Sequence, residues 1–235
     1  MRICYLEGDK CSTKYLLGAF AAAGIEVEPE PRWRGCDAVM LSDYGAERLG
    51  VDAARALVRD VASGLGLVMV GGWRSFGRGG YARSPLAEAL PVTMLDGDDR
   101  HASVAGCYPV PIGPHAILGA LDWSRPPVLC GHNQLTPKPA AHVVLEAREA
   151  ALTPEGPRVN VRGAPLLVAG GVGEGRVVAY AGDLAPHWSG GLTDWGESAV
   201  PGPEGEEMGT AYVAFVAQMV RWAARAAPQE PVRRA

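Results

Sequence analysis

The sequence predicts an α/β fold with a mostly parallel sheet covered by helices on both faces. Three observations carry that expectation. The strand-like runs Asp37–Ser42 and Leu65–Val70 are apolar almost throughout rather than alternating, as strands buried on both faces require. Amphipathic helical segments stand between the strand-like runs. The composition is that of an ordinary globular protein: 235 residues, 48% apolar and 20% charged, ample for a core.

In order, Arg2–Leu6 reads as a first strand. Ser12–Ala23 reads as a helix capped by Ser12, with Tyr15, Leu16, Ala19, Phe20 and Ala23 on one face and Gly24 closing it. Ile25–Glu28 is a short, charged strand, and Asp37–Ser42 follows as a buried one. The next helix, Asp52–Ser63, turns Ala54, Leu57, Val58 and Val61 inward and precedes strand Leu65–Val70.

From residue 76 to 140 the chain is rich in glycine, proline and turns, with short strands expected at 92–95, 104–110 and 128–129. Runs at 142–147, 165–169 and 176–181 follow, the last two joined by a glycine-rich hairpin over 170–175. These extra β elements in the second half imply a mixed sheet edge. Residues 189–207 read as a Gly/Pro/acidic loop. The final helix, Glu207–Arg225, carries the stripe Met208, Tyr212, Phe215, Met219 and Trp222. Residues 1–227 are expected to form a single domain, with 228–235 a flexible tail.

A formal net charge of −4 argues against nucleic acid as a partner. No apolar run approaches the ~20 residues of a membrane span, so no membrane partner is expected. The N-terminus lacks the apolar stretch of a signal peptide, which points to the cytoplasm. Five cysteines at 4, 11, 36, 107 and 130, with no C-x-x-C pair, argue against a disulfide framework and a structural zinc site. Cys4 and Cys36 read as small core fillers.

In parallel sheets ligands bind at the carboxyl ends of the strands. Those ends carry Glu7-Gly8-Asp9, Ser42-Asp43-Tyr44 and Gly71-Gly72-Trp73-Arg74. The glycines allow close backbone approach, and Arg74 and Arg78 suit an anion. The absence of a following Gly-Lys-Ser/Thr excludes a P-loop. A second cluster stands beyond strand 176–181: Asp183, His187, Trp188 and, further on, Asp194. A third polar loop, 132–138, offers Asn133 and Lys138 to the same pocket. His101, His115 and His142 read as ordinary histidines. Asp183 and His187 lack a third ligand, so no metal and no cofactor is expected. No G-x-S-x-G elbow is present for a serine hydrolase.

The segments Asp37–Ala46, Leu67–Phe76, Asn133–Pro139 and Gly182–Trp188 together resemble the class I glutamine amidotransferase-like superfamily, within it a group of unknown activity. The resemblance spans most of the chain and implies a flavodoxin-like fold. Members place a cysteine nucleophile at the turn after the strand that is Leu65–Val70 here, and a His-x-Glu pair after the strand that is Arg176–Ala181. This chain has Gly71-Gly72-Trp73 at the first position, and Gly182-Asp183 with a displaced His187 at the second. Glycine supplies no thiolate to attack an amide. Glutaminase activity is therefore not expected unless Cys107 or Cys130 takes over the role.

Two functions follow. One is binding of a small polar ligand, a sugar or a carboxylate, through Asp43, Gly71, Gly72, Trp73, Arg74, Asn133, Lys138, Trp188 and Asp194. The other is a hydrolase or lyase in which His187 is the general acid or base, oriented by Asp183 or Asp194. A homo-oligomer, most simply a symmetric dimer, is a further expectation.

Overall fold

The computed structural model describes residues 1–9, 13–28, 31–119, 121–186 and 188–227, without the side chains of Leu152 and Pro157. The predicted cap Ser12, the candidate His187 and the tail 228–235 lie outside the described residues.

The first third alternates strand and helix: β1 (Arg2–Glu7), α1 (Thr13–Ala22), β2 (Glu26–Glu28), β3 (Ala38–Ser42), α2 (Ala46–Leu49), α3 (Val51–Ala62) and β4 (Gly66–Val70). All five residues of β3 and of β4 are buried, which explains why neither strand alternates. Along α3 the buried residues are Ala54, Leu57 and Val61, spaced to face the sheet.

The rest is largely strand: β5 (Val92–Met94), β6 (Arg100–Pro111), β7 (Leu129–Asn133), β8 (Leu135–Pro137), β9 (His142–Thr153), β10 (Gly156–Val159), β11 (Ala164–Val172), β12 (Gly175–Tyr180), β13 (Ala199–Pro201) and β14 (Glu207–Gly209). The chain then forms α4 (Thr210–Ala223).

The main sheet runs β2-β1-β3-β4-β12-β11-β9-β6-β7, with β10 paired to β9. Its first five strands pair in parallel. From β12 onward every pairing is antiparallel. The fold is thus α/β and flavodoxin-like, with a parallel core continued by an antiparallel arm. Chain order puts helices on both faces: β1–α1–β2 and β3–α3–β4 cross over in opposite directions along the sheet, and both crossovers are right-handed by general rule. Helix α4 packs with α1 and behind β4 and β12.

The expected hairpin is the β11–β12 pair, tightly turned at Gly173-Glu174. Three expectations need correction. The polar stretch 132–138 is not a loop, because His132 and Asn133 end β7 and 135–137 form β8 against β5. Residues 199–201 and 207–209, expected within a loop and a helix start, pair as a short ribbon, so α4 begins at Thr210. Strands β6 and β9 are each 12 residues long, beyond their expected bounds of 104–110 and 142–147, and pair with one another over 107–111 and 145–149.

No described helix is long and apolar enough to cross a membrane. Leu67, fully buried on β4 between Val39 and Val177, tests the core. Leu67→Ala is expected to cost about 2–5 kcal/mol, read as a lower urea midpoint at unchanged slope.

Candidate functional site at the strand carboxyl ends

Strands β1, β3, β4 and β12 end at one edge of the sheet, and their following residues meet there. After β4 the backbone is enclosed. The Gly71 N–H donates to the Tyr180 carbonyl at 2.7 Å. A Cβ on Gly71 would lie 2.3 Å from the Ala181 carbonyl oxygen and 2.5 Å from Asn133 Oδ1, so no side chain fits there. Gly72 has φ +137°, and its Cβ would lie 2.8 Å from Asp43 Oδ1.

The Asn133 side chain arrives from β7. Its Oδ1 accepts from the Gly72 N–H at 2.9 Å, and its Nδ2 donates to Asp99 Oδ1 at 3.0 Å and to the Gly72 carbonyl at 3.3 Å. Its backbone N–H donates to the Ala181 carbonyl at 2.8 Å. Asp99, fully buried, also accepts from the N–H groups of Gly77 and Arg78. Asp43, at φ +48°, accepts from the Arg74 N–H. Asp43, Gly71, Gly72, Asn133 and the Arg74 backbone thus form one bonded cluster, with Asp99 as a member the sequence reading missed.

Two cluster side chains reach outward. Trp73 is 51% exposed, and the Arg100 guanidinium lies 4.4 Å from its ring centroid. Arg74 is also exposed. An exposed indole beside guanidinium groups is equipped to stack on a flat apolar face and to hold an anion.

The other predicted residues sit apart from this cluster or touch its margin. Trp188 is buried against Gly131 of β7, and its carbonyl accepts from the Cys130 N–H. Asp183 is buried, and its Oδ1 accepts from the Ala185 N–H at 2.9 Å. The Lys138 ammonium donates to the carbonyls of Ala87 and Glu88, which fastens it to the 85–88 turn. Asp194 is exposed in the segment before β13. Cys107 is fully buried on β6, and burial pushes its thiol up to about 11, which disfavours the nucleophilic thiolate. Cys130 is exposed on β7.

Glu7, at the end of β1, is a second residue the sequence reading did not select. Burial raises its carboxyl from 4.5 to about 7, against hydrogen bonds from Asp9, Tyr5 and Ser42 that lower it, while the Asp43 charge raises it. The Tyr5 hydroxyl donates to Glu7 Oε2 at 2.6 Å, and the Asp9 N–H donates to Oε1 at 2.8 Å. Burial pushes the Tyr5 hydroxyl far up, so it stays a donor. Only the position of Glu7 at a strand end could have signalled it.

Two grooves lie away from this edge. One of about 620 Å³ runs between α3 and the 82–88 segment. The other, about 880 Å³, lies at the amino ends of β3 and β4 around Arg32, Trp33 and Asp60.

Parallel strands with a polar cluster over their carboxyl ends define an α/β protein of flavodoxin-like fold. The chain belongs to a glutamine amidotransferase-like family, since residues 10–200 match the family model described as "Putative glutamine amidotransferase". Among solved structures it is similar to the cytoplasmic protein STM3548 of Salmonella typhimurium, at 21% identity and TM-score 0.73 over 95% of this chain and 99% of that one. It is also similar to the cytoplasmic protein STM1381 of Salmonella typhimurium LT2, at 26% identity and TM-score 0.66 over 80% and 90%. A ThuA-like protein of Parabacteroides merdae shares the fold, at 12% identity and TM-score 0.60 over 98% and 92%. No functionally curated protein shows significant similarity to the chain.

Two predictions follow from the cluster. Asn133→Ala strands the Gly72 N–H and removes a donor from buried Asp99, so it should cost about 1–3 kcal/mol in chemical denaturation. Glu7 has a folded-state value above its unfolded one, so the stability it contributes is full below 4.5 and is lost as pH rises through about 7. That loss is about 3 kcal/mol. Glu7→Gln removes this dependence. Its stability relative to the parent should therefore improve by about that amount between pH 4.5 and about pH 8. A pH-independent difference in denaturation free energy would contradict this account of Glu7.

Proposed function

We propose that this protein is a binding member of its family, without glutaminase activity, that takes a small polar ligand over the carboxyl ends of the parallel strands. The observation that carries the reading is the Gly71-Gly72 turn. It occupies the place where the resembling enzymes hold their nucleophile, and the Ala181 carbonyl and the Asn133 side chain leave no space for a Cβ there. The buried, protonated thiol of Cys107 offers no substitute. Trp73 and Arg74, exposed beside this turn, supply the recognition groups: the indole for the face of a sugar, the guanidinium for a carboxylate.

Cytoplasmic localisation belongs to the same reading, supported by the free thiols of Cys36, Cys107 and Cys130. Self-association belongs to it too. Besides Val51, Trp73 and Leu95, the exposed large apolar side chains among the described residues are Val104, Ile112, Val128, Val159 and Val161, which lie between the start of β6 and β11 and direct the search for a dimer to the antiparallel arm. Light scattering tests that expectation.

A second reading, hydrolysis or elimination on a small polar substrate, draws support from one observation. Glu7 holds a carboxyl near neutrality at the strand ends, where acid and base forms are both accessible. His187, the acid–base group the sequence suggested, lies outside the described residues. A rate profile against pH that loses one limb in Glu7→Gln would favour this reading over simple binding.

The decisive assay is ammonia release from glutamine together with thermal-shift screening of sugars and carboxylates. The expected result is no release and a ligand-dependent rise in Tm. That rise should be lost in Trp73→Ala and Arg74→Ala, whose ligand-free Tm stays within ~2 °C of the parent because both side chains are exposed. Glutamine turnover abolished by Cys130→Ser would overturn the proposal.

A further inference from the structure

The antiparallel arm brings three metal-ligating side chains together, apart from the strand-end cluster. His101 on β6 and His132 on β7 are direct cross-strand partners, with ring centroids 5.0 Å apart. Glu149 joins them from β9, on the other side of β6. Its Oε1 lies 3.1 Å from His101 Nε2 and 3.9 Å from His132 Nε2. The three ligand atoms all lie within 4.8 Å of one another.

The tautomer of His132 is set by its surroundings. Its Nδ1 lies 3.1 Å from the Asn133 carbonyl oxygen, which can only accept, so Nδ1 carries the proton. In the neutral ring the Nε2 lone pair then faces the Glu149 carboxylate at 3.9 Å, too far for a hydrogen bond. The His132 side chain is only 4% exposed, so its Nε2 acceptor faces the carboxylate of Glu149, itself 30% exposed, from a largely buried ring. A cation between them resolves that conflict. Metal-bound histidines characteristically donate their other ring N–H to a backbone carbonyl in this way. The Ser103 hydroxyl donates to Glu149 Oε1 at 2.7 Å and orders the carboxylate. With metal–ligand bonds of about 2.0–2.2 Å, a tetrahedral zinc site needs ligand atoms roughly 3.4 Å apart. The observed 3.1 and 3.9 Å straddle that separation.

We propose that His101, His132 and Glu149 bind one divalent transition-metal ion, zinc by preference, with Ser103 as a positioning residue for the carboxylate. Two imidazoles and one carboxylate suit zinc and its neighbours rather than magnesium or calcium, which favour oxygen ligands throughout. Three protein ligands leave a coordination position open. The 44% exposure of the His101 side chain gives the site contact with solvent, so water or a small anion can fill that position. The proposal does not depend on the ligand reading of the strand ends.

The test uses the full-length, untagged protein, stripped with chelator and titrated with Zn²⁺ alone, then with Co²⁺ for its visible absorption. The expected result is one metal per chain and cobalt bands of a four- or five-coordinate site. His101→Ala and Glu149→Gln should each weaken binding by more than about 100-fold, and Ser103→Ala by about 10-fold or more. His101 and Glu149 are both partly exposed, so these variants test the site without removing a core side chain. A Cys36→Ser/Cys130→Ser variant should bind as the parent does. Failure to bind a stoichiometric ion would overturn the proposal. So would binding that survives both His101→Ala and Glu149→Gln, or binding lost with the two thiols.

Discussion

The Asn133 carboxamide joins two parts of the sheet that the chain order keeps far apart. Its Oδ1 and Nδ2 hold both the N–H and the carbonyl of Gly72, beyond the parallel strand β4, while its own backbone N–H is held by Ala181 beyond β12. Through Nδ2 it also reaches Asp99, which fixes the 77–78 backbone. A buried polar group is costly unless its hydrogen bonds are made, and here each bond supplies a partner to another buried group. The constraint runs both ways. Asn133 can approach so closely only because Gly71 and Gly72 carry no Cβ, and the glycine turn is held only because Asn133 fills the space a side chain would take.

That mutual dependence bears on function. In a nucleophile turn the same space holds a side chain with reach toward substrate. Here it is filled by an amide engaged with backbone, and what remains accessible is displaced outward to Trp73 and Arg74. On the binding reading proposed above, this edge would offer recognition by an aromatic face and a fixed cation, with Glu7 set deeper as the group near neutrality.

The parallel half was legible because its physics is local. Five consecutive buried residues in β3 and in β4, and the spacing of Ala54, Leu57 and Val61 on α3, write their environment directly into the sequence. The hairpin at Gly173-Glu174 was legible for the same reason. The strand character of 129–137 was not. His132, Asn133 and Gln134 are polar, and the burial of His132 and Asn133 depends on partners far along the chain: Glu149, Asp99 and the Gly72 turn. At the candidate site, the glycine turn, Asp43 and Asn133 could be named from sequence, since strand ends and polar residues mark themselves. The linkage of Asn133 to Asp99, the elevated carboxyl of Glu7 and the attachment of Lys138 to the 85–88 turn could not. Each depends on a burial or a contact that only the assembled sheet creates.

The histidine cluster shows the same limit most sharply, and it also ties the two sites together. Its ligands come from three strands at positions 101, 132 and 149, a spacing that no local motif would flag. Yet His132 and Asn133 are adjacent residues whose side chains leave β7 on opposite faces. The proton on His132 Nδ1 is held by the carbonyl of Asn133, and the N–H of that same residue is held by Ala181 at the strand ends. The orientation of the imidazole and the closure of the glycine turn therefore rest on a single residue, the first on its carbonyl and the second on its carboxamide. Whatever fixes that residue at one face fixes the geometry presented at the other. A short polar strand end is thus the element through which the antiparallel arm and the parallel core share their structural constraints.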